Sequence, residues 1–364
     1  MDAQSFRAQT PEISASEVRE VVYPASVIKL AKKLGLTLCH QSALSIRRVK
    51  RGTGFSFVMP DGRTIRKKIV IARLNALAVP PAYVEVRYSS DAMTHLQAIG
   101  RDAAGRLQYR YHADWEKVRE ARKARRLAKL VDALPRIRRA VARHLSGKEP
   151  VKEFALSAVI ELIARTAIRP GGESYTRLNG TRGATTLLKS NVAIEGDCIV
   201  LSFRAKGNKS VRKECDAARL VRAIEILHAL PGRRMFQYRD DEGQVRLVNA
   251  SQVNLFLREL AGIKISLKDF RTLMASAAVL ESLSRVVPAE SARGRRRQVL
   301  DAVRAAADEL ANTPAICRKS YVHETIVTAF EDGILERFSS TLKGCRSPAR
   351  REQVLAKVVA TAAI

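Results

Sequence analysis

The hydrophobic period of this 364-residue chain turns from strand-like to mostly helical at Ala113, and that change limits what the chain can fold into. Between Ser45 and His112 apolar and polar side chains alternate, as in a strand with one buried face. From Ala113 onward apolar residues mostly recur every three or four positions, as in a helix. Strands gathered in one part and helices in the other make an α+β chain and argue against repeated βαβ units. A chain this long also exceeds one small core. The expected architecture is an antiparallel β-sheet domain over residues 1–112 and a larger, mostly helical domain over 113–364 that carries a small three-stranded sheet.

In the first part, residues 1–25 are polar and mixed and read as a loosely held leader, and 27–36 has a short helical pattern. Strand-like runs follow at 45–50, 54–59 and, past a Pro60-Asp61-Gly62 turn, 64–69; then at 84–88, 95–100 and 107–112. The last run, Gln108-Tyr109-Arg110-Tyr111, alternates amide, aromatic and cation. It suits a surface that reads base edges and grips phosphates, or a plain strand with its tyrosines packed inward.

The second part opens on a strongly basic helix over 114–130, read as a phosphate-tracking linker. Further helices are expected over 135–145, 151–166, 217–229, 250–261 (capped by Ser251), 267–283, 298–311 and 322–330. Residues 185–188, 192–197 and 198–203 read as the three-stranded sheet, and 204–210 as its final hairpin. Residues 288–297 read as a basic loop, and 333–364 as a basic tail.

Charge narrows the partner. Against 65 Lys+Arg stand 36 Asp+Glu, a net charge of +29, which repels the chain from itself unless a polyanion answers it; nucleic acid is the expected partner, with membrane surfaces and acidic proteins as the competing explanations. No apolar run approaches the roughly 20 residues that span a bilayer, and the opening MDAQSFRAQT has no signal-peptide core, so a cytoplasmic, nucleoid-associated protein is expected. The five cysteines form no C-x-x-C pair, no His/carboxylate cluster has metal-ligand spacing, and no G-x-x-x-x-G-K-[ST] loop is present. No metal, disulfide framework or nucleotide cofactor is expected.

Chemistry concentrates in two stretches, Lys268-Asp269-Phe270-Arg271-Thr272 and Asn312 to Tyr321. An arginine fork binds phosphate oxygens bidentately, and a tyrosine hydroxyl can attack a phosphodiester once cations stabilise the developing charge. That pairing points to DNA strand cleavage, although a tyrosine in a basic helix also serves as a packing residue. Ile168-Arg169-Pro170-Gly171-Gly172-Glu173 forces a turn that fixes Arg169 at a backbone corner. A lysine on the hairpin Arg204-Ala205-Lys206-Gly207-Asn208-Lys209 can serve as a proton donor, although the hairpin taken alone favours a solvated surface lysine.

Arg169 in I-R-P-G-G-E, Lys206 in F-R-A-K-G, Arg271 in K-D-F-R-T and Tyr321 in C-R-K-S-Y-V-H, in that order, resemble the active site of type IB DNA topoisomerases. The segment G-R-D-A-A-G-R-L-Q-Y-R-Y-H resembles that family's signature in its short bacterial and poxviral branch, and the likeness runs from about Ser45 to Phe330. The resemblance implies a monomeric clamp around double-stranded DNA that needs neither ATP nor metal. In it Tyr321 is the nucleophile that leaves a 3′-phosphotyrosyl link, Arg169 and Arg271 clamp the phosphate, and Lys206 is the general acid in preference to Lys209. Asn312 stands where poxviral and nuclear enzymes carry a histidine, and keeps a neutral hydrogen bond without titrating. By the same likeness Gln108, Tyr109 and Tyr111 face the major groove, Arg106, Tyr175 and Thr186 contact DNA near the cleaved phosphate, and His323 is structural.

Two rivals share parts of this pattern. A tyrosine recombinase has the same order of Arg, Lys, Arg and Tyr, but usually H-x-x-R where this chain has Lys268-x-x-Arg271. A non-catalytic architectural DNA-binder would account for the charge alone.

Overall fold

The computed structural model describes residues 23–343, 345 and 347–361, so most of the expected leader lies outside the described residues. The chain divides into two compact units, Met1–Arg119 and Glu120–Ile364.

In the first unit α1 (Ala25–Lys33) precedes β1 (Ile46–Arg51), β2 (Gly54–Val58), α2 (Lys68–Ala76), β3 (Val84–Tyr88), β4 (Leu96–Arg101) and β5 (Leu107–Tyr111). The strands form one antiparallel sheet in the order β2-β1-β3-β4-β5. Ile46, Phe57, Val86, Tyr88 and Ala98 bury one apolar cluster together with Leu74 of α2. The strand expected at 64–69 is a correction: only Thr64 bridges to Val58, and α2 begins at Lys68. Val70, Ile71 and Leu74 meet the sheet at three- and four-residue spacing, which a strand cannot supply. Not every cation here is available to a ligand. Arg48 donates to the carbonyls of Val79, Pro80 and Tyr83, and Arg73 to Gln97 Oε1 and the Ser89 carbonyl.

The helix α3 (Trp115–His144) replaces the two helices expected at 114–130 and 135–145. Pro135 sits inside it without ending it. An interior proline costs about 3 kcal/mol, yet Leu127, Leu130, Val131, Leu134, Ile137 and Val141 bury one continuous face across it, and each buried side chain of that size contributes about 1.5–3 kcal/mol.

In the second unit α4 (Lys152–Thr166) is buried over most of its circumference, as expected of a helix at the centre of a core. There follow α5 (Glu173–Asn179), β6 (Val192–Glu195), β7 (Cys198–Ala205), β8 (Lys209–Asp216), α6 (Ala218–His228), the short hairpin β9 (Gln237–Arg239) and β10 (Val245–Leu247), and α7 (Ala250–Ala261). The chain continues through α8 (Leu267–Ser284), α9 (Ala292–Glu309), α10 (Pro314–Ser320), α11 (Glu324–Glu331), α12 (Glu336–Lys343) and α13 (Pro348–Thr361). The three-stranded sheet is β6-β7-β8, so 185–188 is not its first strand; Ala184–Thr186 is a 3₁₀ turn, and the third strand is the return arm of the hairpin. The cap of α7 is Asn249, paired reciprocally with Gln252, and not Ser251. The basic stretch 288–297 is not all loop, because Ser291 caps a helix that begins at Ala292. Helices α12 and α13 occupy much of the expected tail.

Candidate active site

Five elements of the second unit bring the phosphate-side residues together. Helix α4 ends on Ala167 in a left-handed conformation, φ 51°, which turns the chain so that Arg169 leaves at a corner. That corner is pinned by a second loop: the amides of Ala184 and Thr185 donate to the carbonyls of Arg169 and Pro170. The two backbones approach so closely that a Cβ on Gly183 would stand 2.5 Å from the Arg169 carbonyl oxygen and 2.5 Å from the Gly171 nitrogen. Only glycine fits there.

Helix α8 supplies Arg271. Ser266 and Asp269 cap its start reciprocally, and Arg126 of α3 donates to Asp269 at 2.6 Å, so the first turn is held from within and from outside. Arg271 is 2% exposed. It donates to the Ala167 carbonyl and, at 3.0 Å, to the Leu310 carbonyl, which ties α8 to the ends of α4 and α9. Arg169 donates to Asn312 Oδ1 at 2.5 Å. With its oxygen engaged, Asn312 turns its Nδ2 inward. Asn312 Nδ2 and Arg271 Nε are two of five buried side-chain polar atoms that have no partner among the described residues. Buried donors without acceptors are costly, and two in one place mark a site shaped for an acceptor from outside.

Tyr321 lies at the end of α10, whose start is fixed by Thr313 as cap and Pro314 in the first turn. It is 9% exposed; its ring lies 4.9 Å from the Arg271 guanidinium carbon and 5.6 Å from the Lys268 ammonium. Burial pushes its phenol up, but Arg271, Arg169 and Lys268 together outweigh burial and hold it below the ordinary tyrosine value. Burial also lowers Arg271, against the pull of Tyr321, while its guanidinium stays charged.

Lys206 stands differently. It is exposed at the tip of the β7–β8 hairpin, where Gly207 and Asn208 take positive φ, and its ammonium lies 5.4 Å from the ring centroid of Tyr175 on α5. Lys209 begins β8 and is also exposed. Tyr175 is half exposed, whereas Thr186 is buried with its hydroxyl bonded to both the amide and the carbonyl of Gly183. Thr186 therefore shapes the Arg169 corner and does not face solvent.

On the first unit, Tyr109 and Tyr111 share one face of β5, stacked with ring centroids 6.1 Å apart and 45% and 40% exposed. Gln108 falls on the other face by strand alternation and donates to Asp102, as does Arg106. The Arg106 side chain first, against the opposing push of desolvation, and then the Arg106 amide, Gln108 and the Ala104 amide hold the Asp102 carboxyl at about 2. The reading by residue type gave no role to Asp102, Lys268 or Gly183. The Arg-Asp-Ala-Ala-Gly-Arg turn and the lysine one helical turn before Arg271 were the signals available.

Residues 108–345 match the family described as "Eukaryotic DNA topoisomerase I, catalytic core", and residues 54–102 match "Bacterial DNA topoisomerase IB, N-terminal domain". The chain belongs to the type IB DNA topoisomerases. It is 29% identical to the DNA topoisomerase 1B of Acanthamoeba polyphaga mimivirus over 76% of this chain and 84% of that protein. It is 22% identical to the DNA topoisomerase I of Monkeypox virus and the DNA topoisomerase 1B of Vaccinia virus, over 66% of this chain and 74% of theirs. This topoisomerase is thus an isomerase whose substrate is DNA, and the recombinase alternative is not favoured. Among the described residues no helix is long and apolar enough to cross a membrane.

Proposed function

We propose that this topoisomerase relaxes duplex DNA by transient cleavage of one strand at Tyr321. Tyr321 gives up its phenol proton to water as its oxygen attacks the backbone phosphorus, the bond from phosphorus to the 5′-oxygen breaks, and that oxygen takes a proton from Lys206. The products are a 3′-phosphotyrosyl link and a 5′-hydroxyl. After the strand rotates, the 5′-hydroxyl returns its proton to Lys206 as its oxygen attacks the phosphorus, Tyr321 leaves and recovers a proton from water, and the backbone is resealed. The bond energy is kept in the phosphotyrosine, so the reaction as written needs neither nucleotide nor metal.

Arg169 and Arg271 hold the non-bridging oxygens, and Asn312 donates to one of them. The observation that carries this reading is the pair of unsatisfied buried donors, Asn312 Nδ2 and Arg271 Nε, beside a tyrosine held below its ordinary pKa by three cations. Preorganised donors of this kind each contribute about 100- to 1,000-fold in rate. Tyr109 and Tyr111 face the major groove, Tyr175 and Arg106 contact DNA near the break, and Gln108 and Thr186 shape those two surfaces. The enzyme acts as a monomer in the cytoplasm, on the nucleoid.

The test is trapping of the intermediate. Incubated with duplex DNA labelled in turn at each end of the scissile strand and quenched with detergent, the native chain retains only label on the 5′ side of the break, and Tyr321→Phe retains none. Label retained by Tyr321→Phe would move the nucleophile elsewhere.

A further inference from the structure

The four residues Tyr321, Val322, His323 and Glu324 are each held from outside their own segment, and the mechanism above uses only the first. Ser276 of α8 donates to the Tyr321 carbonyl at 2.9 Å. Lys123 of α3 donates to the Val322 carbonyl at 2.7 Å. His323 is 2% exposed; Thr325 N–H donates to its Nδ1, which leaves the proton on Nε2, and Nε2–H donates to the Glu120 carbonyl at 3.2 Å. The Glu324 amide donates to the Glu120 carboxylate at 3.3 Å. Three of the four anchors therefore come from one turn of α3, at the point where the chain enters the second unit. Tyr321 itself is not helical, φ −126° and ψ −27°, and sits at the joint between α10 and α11. Its direction depends on what grips the residues after it.

We infer that Glu120, Lys123 and His323 form a latch that sets the reach of Tyr321 toward the phosphate, acting as positioning residues for strand cleavage. The inference rests on Tyr321 being the nucleophile. A side chain placed only to cap α11 needs an acceptor near the backbone, which asparagine or serine supplies. The imidazole does more: its far nitrogen spans to the Glu120 carbonyl, and its neutral form is needed for both bonds at once, because a proton on Nδ1 would face the Thr325 N–H. The charged groups around it are Glu120 and Lys123 on α3 and Glu324 on α11. Burial, reinforced by Lys123 and opposed by the two glutamates, holds His323 below its ordinary value. The latch is therefore complete above the ordinary histidine range and is lost as pH falls through the lowered value.

Two substitutions separate positioning from capping. His323→Asn keeps an acceptor for the Thr325 amide but cannot reach Glu120; His323→Gln places an amide N–H where Nε2–H lies and gives up the cap. Each is measured for single-turnover formation of the covalent adduct, DNA affinity and melting temperature, beside the native chain and Tyr321→Phe. The expected result is adduct formation slowed about 10- to 100-fold in the asparagine variant and held near the native rate in the glutamine variant, with DNA affinity unchanged in both. Both rates fall in acid as the Tyr321 phenol is protonated, and that of the native chain falls more steeply than that of the glutamine variant over the range in which His323 titrates. Lys123→Met, which removes the grip on Val322, slows the same step. An asparagine variant as fast as the native chain, or two variants slowed equally, overturns the latch. Adduct formation by Tyr321→Phe instead overturns the assignment of the nucleophile.

Discussion

The two sides of the site are built in opposite ways. Arg271, Asn312 and Tyr321 are buried, and Arg271 and Asn312 are each fixed by backbone or side-chain partners. Lys206 and Lys209 stand exposed on a hairpin tip, with the Lys206 ammonium 5.4 Å from the ring centroid of Tyr175. The difference suits the chemistry proposed for the two sides. Charge on a phosphate in its transition state is stabilised best by donors that need not reorganise, and burial strengthens them. A proton donor must keep its proton and then deliver it to an oxygen that appears only when DNA is bound, which a solvated ammonium on a short hairpin can do. The +29 charge spans both kinds of use, and Arg48, Arg73, Arg126 and Lys123 show that part of it holds the protein itself together.

Breaking the rigid side should cost the most. Arg271→Ala is expected to slow single-turnover cleavage about 100- to 1,000-fold, and also to lower the melting temperature, because the Ala167 and Leu310 carbonyls lose their donors. Arg271→Lys, with one point of donation in place of a fork, recovers little of either.

On the exposed side, Lys206→Ala should slow cleavage about 100-fold or more with the melting temperature unmoved. A substrate whose leaving 5′-oxygen is replaced by sulfur, which departs without a proton, restores the rate if the loss is of an acid. Lys209→Ala should change cleavage less than about threefold; the reverse ranking would exchange the two assignments.

Gly183→Ala tests whether the Arg169 corner belongs to the rigid side. Its methyl group cannot enter without separating two backbones. Overpacking of that kind costs about 1–3 kcal/mol of stability, and the displaced Arg169 should slow cleavage about tenfold. Both are read from denaturant melts and single-turnover assays.

The smallest effect concerns pH. Because cations hold the Tyr321 phenol below its ordinary value of 10, the cleavage rate should rise with pH and level off before that value. Lys268→Ala removes one of those cations and moves the plateau upward. A profile that does not move leaves Arg271 and Arg169 as the groups that set it.

The rigid side was the more legible in sequence. Arg169 beside a proline and two glycines and Arg271 in the first turns of an expected helix are local patterns, and local patterns survive folding, whereas the short helix α10 that ends at Tyr321 was not expected. Pro135 misled because a buried stripe fifteen residues long outweighs one lost hydrogen bond. Residues 64–69 and 185–188 looked like strands because short apolar runs carry no period of their own, and only their partners decide their shape. The Gly183 contact and the latch on His323 were beyond reach for the same reason. Each joins residues far apart in the chain, Gly183 with Arg169 and His323 with Glu120, and residue type alone does not announce such pairs.

The most direct test of the account is relaxation of negatively supercoiled plasmid in EDTA without ATP, with the native chain and Tyr321→Phe on one gel. The account predicts complete relaxation by the native chain and none by the variant, with both retarding the plasmid equally in a binding assay. Retardation by both with relaxation by neither, or relaxation by both, would contradict it.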